Sequence, residues 1–318
     1  LSELSKKHGI YIASGITEWD SERQKVFNTG VMFDRQGHLA CHYHKQFLAT
    51  HDQNWFSFGE RGNPVVETDL GKIGLLICFD GRIPEIFRSM ALQGAEVIVD
   101  MANFFSMDQA DMWGPARSYE NGLWLVAATK AGFERSIYYP GGSMIVDPKG
   151  RVLSKVPYDT HGIAIADIDP DMALNKSIYT GNDKIADRRS ETYGIMSEPY
   201  FNTPVAKIAD VPIVPSQSTS KIAAVQMHVT NESTVDDVFD MIDHAAKLGI
   251  KVITLPEHAF STHWLPNADE AAQLSDAAPD YILRAAVIAK KYSCLIAIPT
   301  LEKTSRGIFI TTYLIGPD

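Results

Sequence analysis

Three reactive side chains stand where apolar stretches of the sequence end. They are Cys78 in "KIGLLICF", Lys45 after "LACHYH" and Glu257 in "KVITLPE". Sites in open α/β sheets form at the carboxyl ends of strands. A thiolate can attack a carbonyl carbon, a carboxylate can move the proton, and an ammonium can stabilise the oxyanion. These residue types therefore favour acyl transfer, with the backbone N–H of Phe79 as a second oxyanion donor.

Each of these residues also has a purely structural interpretation. Free cysteine is among the most buried residue types, so Cys78 can simply fill the core. Lys45 alone would usually be a solvated charge, and Glu257 after a proline would usually cap a helix or lie in a loop. The spacing of the three residues does not decide between these interpretations.

Histidines near Lys45 leave two rival sites open, a Cys–His hydrolase and a metal site. The residues are His42, His44 and His51. Two positions apart in a strand, His42 and His44 would place both rings on one face. No carboxylate or cysteine with ligand spacing joins them in the sequence, so we predict no metal ligand set.

The composition excludes several classes of protein. The chain has 318 residues, 45% of them hydrophobic and 21% charged, which suits one large globular domain or two ordinary ones. Its net charge is −10 without a basic cluster, which argues against nucleic-acid binding. No apolar run reaches the roughly 18 residues of a membrane span. Three scattered cysteines predict neither disulfides nor a cysteine zinc site, and favour a cytoplasmic location.

Buried apolar strands alternate with helices in residues 1–200, which predicts an α/β fold with added hairpins. Strands are predicted at 9–16, 72–79, 95–102 and 123–130, helices at 84–93 and 111–122, and hairpins at 26–46 and 141–156. The first hairpin is expected to turn at residues 34–37, where Asp and Gly favour a turn.

The pattern breaks at residues 201–220, which hold three prolines and end in polar residues. This composition predicts a linker or an extended tail. A new α/β segment follows at 221–318, with strands at 221–229 and 251–260 and a helix at 233–249 capped by Ser233 or Thr234. Residues 6–18 and 290–302 match in pattern, which indicates a duplicated element.

Several motifs in residues 1–200 resemble the nitrilase superfamily of carbon–nitrogen hydrolases, in the order of that family. They are "YHKQF", "GLLICFDGRIPEIFR", "GAEVIV", "WGPARSYENGLWLVAATKAG", "GGSMIVDPKG" and "DRRSETYG". The resemblance implies an α/β fold of the four-layer α-β-β-α sandwich type and a Glu–Lys–Cys triad. Carried onto this chain, Cys78 is the nucleophile and Lys45 is the lysine of the triad.

The glutamate of the triad has its match far along the chain. The family places it in an N-terminal "LPE"-type motif, and the matching segment here is "TLPEHAF" with Glu257. Residues 221–318 thus resemble the start of such a domain, and residues 1–200 the rest. The chain is either a slice of a tandem protein or a permuted or swapped arrangement in which the segments complete one site. We favour completion, because a half-domain would expose sheet edges and apolar surface.

The resemblance also implies substrate-binding residues. Asp52 stands where the family has a second glutamate, one methylene longer, that positions the substrate or its water. The alternative is that Glu60 or no residue fills this role. Asn103 and Phe104 match positions that line the family's substrate pocket. Arg117 and Glu120 match a family helix and are expected to form an i,i+3 ion pair, with Glu120 as a further substrate contact.

We therefore expect a hydrolase of a small, non-peptide amide that works through a cysteine thioester and needs no metal or organic cofactor. Phe79-Asp80 after the cysteine resembles the amidase pattern more than the Trp-Glu common in nitrile-cleaving members. The alternatives are a nitrilase, an N-carbamoyl hydrolase, or a non-catalytic duplicated module used for assembly. The expected partners are a small-molecule amide and, by analogy with the family, further copies of the chain.

Overall fold

The computed structural model describes residues 1–209, 219–227, 234–261 and 267–318. The chain divides into two compact units, Leu1–Glu198 and Pro199–Asp318. The expectations for residues 210–218 of the linker, 228–229 of a strand and the cap Ser233 lie outside the described residues.

The first unit begins with a helix and a three-stranded antiparallel sheet. Its elements are α1 (Ser2–His8), β1 (Ile12–Asp20), β2 (Lys25–Phe33) and β3 (Leu39–His44). The turn between β2 and β3 is fixed by Asp34, whose carboxylate accepts the N–H groups of Gln36 and His38 at 2.9 and 2.8 Å. The hairpin predicted at residues 26–46 is confirmed.

Most of the remaining strands of this unit form one mixed sheet. The elements that follow β3 are β4 (Val65–Thr68), β5 (Gly71–Leu76), α2 (Pro84–Leu92), β6 (Val97–Ala102), α3 (Gly114–Asn121), β7 (Trp124–Thr129), β8 (Ala131–Glu134), β9 (Ile137–Pro140), β10 (Met144–Val146), β11 (Val152–Lys155), β12 (Ser177–Tyr179) and β13 (Asn182–Asp183). The sheet order is β11-β10-β7-β6-β5-β4, and β5, β6 and β7 are parallel. The parallel strands are largely buried, as their apolar sequences predict.

The two sheets pack face to face, with helices on the far side of the larger one. A Cβ atom at Gly30 of β2 would come within 2.9 Å of Met101 Cε on β6, so glycine permits this close approach. On the other face, Met90 of α2 lies against Gly74 of β5, and α3 packs against β7 and β10. The unit therefore has a helix layer followed by two sheet layers.

The second unit is a four-stranded sheet with helices packed on it. Its elements are α4 (Pro204–Ala209), β14 (Ile222–Ala224), α5 (Val235–Lys247), β15 (Val252–Thr254), α6 (Ala268–Tyr292), β16 (Leu295–Thr304) and β17 (Gly307–Ile315). The strand order is β14-β15-β16-β17, with the first three parallel. Thr234 caps α5, as predicted. Helix α4 corrects the linker prediction for part of 201–220, because Pro204 suits a first helical turn.

The duplicated element appears in both units as a helix followed by an antiparallel strand pair. It is α1-β1-β2 in the first unit and α6-β16-β17 in the second. Both helices end in a left-handed residue, Gly9 with φ 61° and Ser293 with φ 53°. Among the residues that the structure describes, no helix is long and apolar enough to cross a membrane.

Candidate active site

Cys78 lies just beyond β5, at the first residue of a short 3₁₀ helix, Cys78–Arg82. Its backbone is left-handed, with φ 52°, which is unusual for a residue with a side chain. Such backbone strain concentrates at functional sites, where the surrounding structure holds it in place. The end of the strand thus gives the thiol a fixed orientation.

Two buried carboxyl groups hold the backbone at Cys78. Asp100 on β6 accepts the N–H of Cys78 at 2.7 Å. Burial raises the pKa of Asp100 well above its usual value, because the charged form loses solvation. Asp80 accepts the N–H of Ile77 at 3.1 Å and the hydroxyl of Tyr43 at 2.8 Å.

Asp80 also connects the cysteine to the segment that carries the lysine. Its second oxygen accepts the N–H of Phe47 at 2.8 Å, two residues beyond Lys45. One buried carboxyl group therefore bridges the ends of β5 and β3. Because both strand ends are tied to the same side chain, the separation of Cys78 and Lys45 is fixed by the fold.

Lys45 is buried and forms an ion pair with Asp52. Its Nζ lies 2.5 Å from Asp52 Oδ2, and that oxygen also accepts the N–H of Ala49 at 3.2 Å. Asp52, predicted as a substrate-binding residue, is thus in direct contact with the lysine. The negative charge of Asp52 compensates the positive charge of the buried Lys45, so the ammonium can remain ionised inside the protein.

Cys78, Lys45 and Asp52 line one cleft, which has a volume of about 760 Å³. Predicted residue Asn103 also lines it, and its carbonyl accepts a contact from Cys78 Sγ at 3.4 Å. Aromatic side chains contribute much of the wall, namely Trp55, Phe56, Phe105 and Tyr139. The cleft can hold a small molecule with apolar and polar parts.

The surroundings of Cys78 favour a neutral thiol. Burial raises the pKa of Cys78 to about 11, and the nearby Asp100 adds to the rise. Lys45, Asn103 and Gln109 act in the opposite direction but do not offset burial. A thiol with a raised pKa needs a general base to remove its proton before it can act as a nucleophile.

The other residues predicted to contact the substrate, Phe79, Phe104 and Glu120, are not among the residues that line this cleft. Phe79 is the second residue of the 3₁₀ helix, so its N–H directly follows Cys78. Phe104 is buried against Trp113, and its neighbour Phe105 lines the cleft. Glu120 forms the predicted pair with Arg117 at 2.9 Å and is not among the residues that line the cleft.

Glu257 belongs to the second unit. It follows β15, and its exposed carboxylate lies 3.7 Å from His258 Nε2. Residue 258 is itself left-handed, with φ 58°. The role of Glu257 as the third member of the triad stays a prediction.

Sequence reasoning missed the residues that support Cys78. They are Asp80, Asp100 and Gln109. A signal was present for Asp100, since an acidic residue inside the apolar stretch "AEVIVDMA" must find a partner when it is buried. Gln109 lies on a π-helical turn, Gln109–Trp113, of a kind that is frequent at functional sites.

Comparison with known proteins places the chain in a family. The model of the carbon-nitrogen hydrolase family matches residues 1–175, more than half of the chain. The chain belongs to the carbon-nitrogen hydrolase family. This confirms the resemblance to the nitrilase superfamily that the motifs indicated.

Relatives and solved structures agree with the family assignment. A protein named nitrilase from Pyrococcus abyssi is 34% identical over 61% of this chain and 72% of its own length. A deaminated glutathione amidase from Dictyostelium discoideum is 33% identical over 53% of this chain and 64% of its own length. The crystal structure of a carbon-nitrogen hydrolase from Helicobacter pylori G27 is 26% identical with a TM-score of 0.56, covering 62% of this chain and 74% of that one. The predicted α/β sandwich of the nitrilase type is confirmed.

Proposed function

We propose that the protein hydrolyses a small, non-peptide amide through a thioester on Cys78. The thiol sulfur attacks the carbonyl carbon, and the oxyanion is held by Lys45 and the N–H of Phe79. The amine or ammonia leaves with a proton, and water then cleaves the thioester to a carboxylic acid. The protein is proposed to act as a homo-oligomer, with Asn103 and Phe105 contacting the substrate.

The main support for this proposal is the arrangement of Cys78 and Lys45. Cys78 and Lys45 line the same cleft, with the cysteine in a strained left-handed conformation that buried carboxyl groups hold in place. A core-filling cysteine would need neither a cleft nor a buried cation beside it. Membership of the family gives the class of bond that is cleaved, and the similar proteins are named either amidase or nitrilase.

A carboxylate must move the proton, and two residues compete for that role. Glu257 is the residue implied by the family motif, reached within the chain or from a second copy. Asp52 lies in the cleft, but its carboxylate already forms an ion pair with Lys45, with 2.5 Å between Oδ2 and Nζ. We assign the proton transfer to Glu257 and the fixing of the lysine to Asp52.

The test is a panel of small amides, N-carbamoyl compounds and nitriles, followed by ammonia release. We expect turnover of at least one amide, loss of at least about 1,000-fold in Cys78→Ser, and near wild-type activity in the control Cys41→Ala. Turnover of nitriles alone would replace the amidase assignment with a nitrilase. No turnover of any class would favour the non-catalytic module.

A mixing experiment tests the assignment of Glu257. Cys78→Ser and Glu257→Gln are each expected to be inactive. If the glutamate comes from a second copy, a mixture of the two proteins after subunit exchange regains activity. If it comes from the same chain, the mixture stays inactive, and a fully active Glu257→Gln would remove this residue from the mechanism.

A further inference from the structure

Three side chains with metal-ligating atoms converge on the three-stranded sheet, outside the cleft. They are Glu18 on β1 and His42 and His44 on β3. Gly30 of β2 faces the larger sheet at Met101, so the next residue back, Thr29, points to the opposite face. Thr29 donates to Glu18, which places this cluster on the face turned away from the larger sheet.

The ligating atoms of the cluster are close together. Glu18 Oε2 lies 2.8 Å from His42 Nε2 and 3.0 Å from His44 Nε2, and all three atoms lie within 4.8 Å of one another. The ring of His44 stacks on Phe27 at 3.9 Å between centroids, which fixes its orientation. Two imidazole nitrogens therefore point at one carboxylate oxygen.

This geometry is near to that of a four-coordinate zinc site. Zinc bonds to nitrogen and oxygen are about 2.0–2.2 Å long, so tetrahedral ligand atoms lie about 3.3 Å apart. The separations from Glu18 are a few tenths of an ångström shorter, and the two histidine nitrogens lie no more than 4.8 Å apart, so rotation of the carboxylate and a small shift of the His42 ring bring the three atoms to this spacing. Two histidines and one glutamate are a known zinc ligand set, with the fourth position taken by water.

An outer partner supports the carboxylate. Thr29 Oγ1 donates to Glu18 Oε2 at 2.8 Å and is fully buried. Partners of this kind orient metal ligands, and their removal typically weakens binding 10–100-fold. His44 has no such partner, since its Nδ1 is buried without a hydrogen bond among the described residues.

We propose that Glu18, His42 and His44 bind one Zn²⁺ ion, with a water molecule as the fourth ligand. Each imidazole binds through Nε2 and carries its proton on Nδ1. The ion joins β1 to β3 across β2. His44 immediately precedes Lys45, so the ion fixes the strand end that presents the lysine.

The spacing of the histidines alone gave no basis for this site. The carboxylate comes from a strand that lies 24 residues earlier in the sequence than His42. Strand pairing places residues 18 and 27 opposite each other and residues 29 and 44 opposite each other, and these two pairs bring the cluster together.

The experiment is a titration of the chelator-treated full chain with ZnCl₂ by calorimetry, with CoCl₂ absorption as a second readout. Wild type is expected to bind one equivalent and to give a four-coordinate Co²⁺ spectrum. Glu18→Gln and His42→Asn are expected to weaken binding at least about 100-fold, and Thr29→Val 10–100-fold. Circular dichroism confirms that each variant is folded.

Two control variants, His38→Asn and Cys78→Ser, change residues outside the proposed ligand set. His38→Asn removes an exposed histidine of the neighbouring turn and is expected to leave the affinity within about twofold. Cys78→Ser is expected to bind as wild type and to keep the same Co²⁺ spectrum. The proposal is overturned if wild type binds no stoichiometric Zn²⁺, if Glu18→Gln and His42→Asn bind as wild type, or if Cys78→Ser abolishes binding. Because the readout is metal binding, these outcomes do not depend on amide hydrolysis.

Discussion

The burial of the ion pair between Lys45 and Asp52 predicts how much the free energy of unfolding falls when the pair is broken. The lysine side chain is 3% exposed and that of Asp52 is 22% exposed, with 2.5 Å between Nζ and Oδ2. Asp52→Asn removes the negative charge and leaves an ammonium buried without its counter-ion. Removing one partner of a buried pair costs about 3–5 kcal/mol. We expect about 3 kcal/mol, because water can reach the partly exposed asparagine.

A second ion pair of equal length serves as the matched control. Lys130 and Glu134 also lie 2.5 Å apart, but their side chains are 51% and 57% exposed. Exposed pairs contribute about 0–1 kcal/mol, so Glu134→Gln should change stability by less than about 1 kcal/mol. The double variant Lys45→Met with Asp52→Asn should regain most of the stability lost in Asp52→Asn, since no buried charge remains.

The assay is urea unfolding followed by tryptophan fluorescence. Of the five tryptophans in the chain, Trp264 alone follows residue 198, so the signal reports mainly on the first unit. In thermal unfolding, 3 kcal/mol corresponds to a Tm lower by about 6–12 °C for a unit of this size. Equal losses in Asp52→Asn and Glu134→Gln, or a double variant as unstable as Asp52→Asn, would refute the burial argument.

Four further predictions concern the same site. Iodoacetamide should alkylate Cys78 about tenfold faster for each pH unit from 8 to 10, because its pKa is raised to about 11 and the thiolate is the nucleophile; a plateau below pH 8 would contradict this. Cys78→Gly should be about 1 kcal/mol more stable to urea than Cys78→Ala, because φ is 52° and glycine has no Cβ; equal stability would argue against backbone strain. Asp80→Asn should lower the free energy of unfolding by about 2 kcal/mol or more in the same assay. The side-chain amide has only one acceptor oxygen, so its nitrogen would face an N–H or O–H group that donates to Asp80 in the wild type. Glu120→Gln should keep kcat and KM within about twofold in the ammonia assay, because its pair with Arg117 lies outside the cleft lining; a large rise in KM would restore it as a substrate contact.

The sequence located the ends of the strands that precede Lys45 and Cys78, because apolar runs and turn residues mark where strands end. The strands β3 and β5 belong to different sheets, so it is the packing of the two sheets that places both residues in one cleft. The hairpin turn at Asp34 and the cap of α5 at Thr234 follow from the same local chemistry. These features depend on neighbouring residues and are therefore readable from one sequence.

Features that depend on distant residues were not predicted. The contact of Glu18 with His42 depends on the register of three strands, and the bridging role of Asp80 depends on how two loops meet. After Ala102 the chain leaves β6, so strand alternation no longer says which of the next aromatic residues lines the cleft. The structure shows Phe105 there and Phe104 in the core.

The most direct test of the central claim is the mass of the enzyme during turnover. An amide substrate is mixed with the protein, the reaction is stopped in acid, and peptides are mapped by mass spectrometry. We predict a gain equal to the acyl group on the peptide that contains Cys78, and no such gain in Glu257→Gln, because this variant lacks the base assigned to remove the thiol proton. Turnover with the acyl group on another residue, or unchanged turnover in Cys78→Ser, would contradict the assignment of Cys78 as the nucleophile.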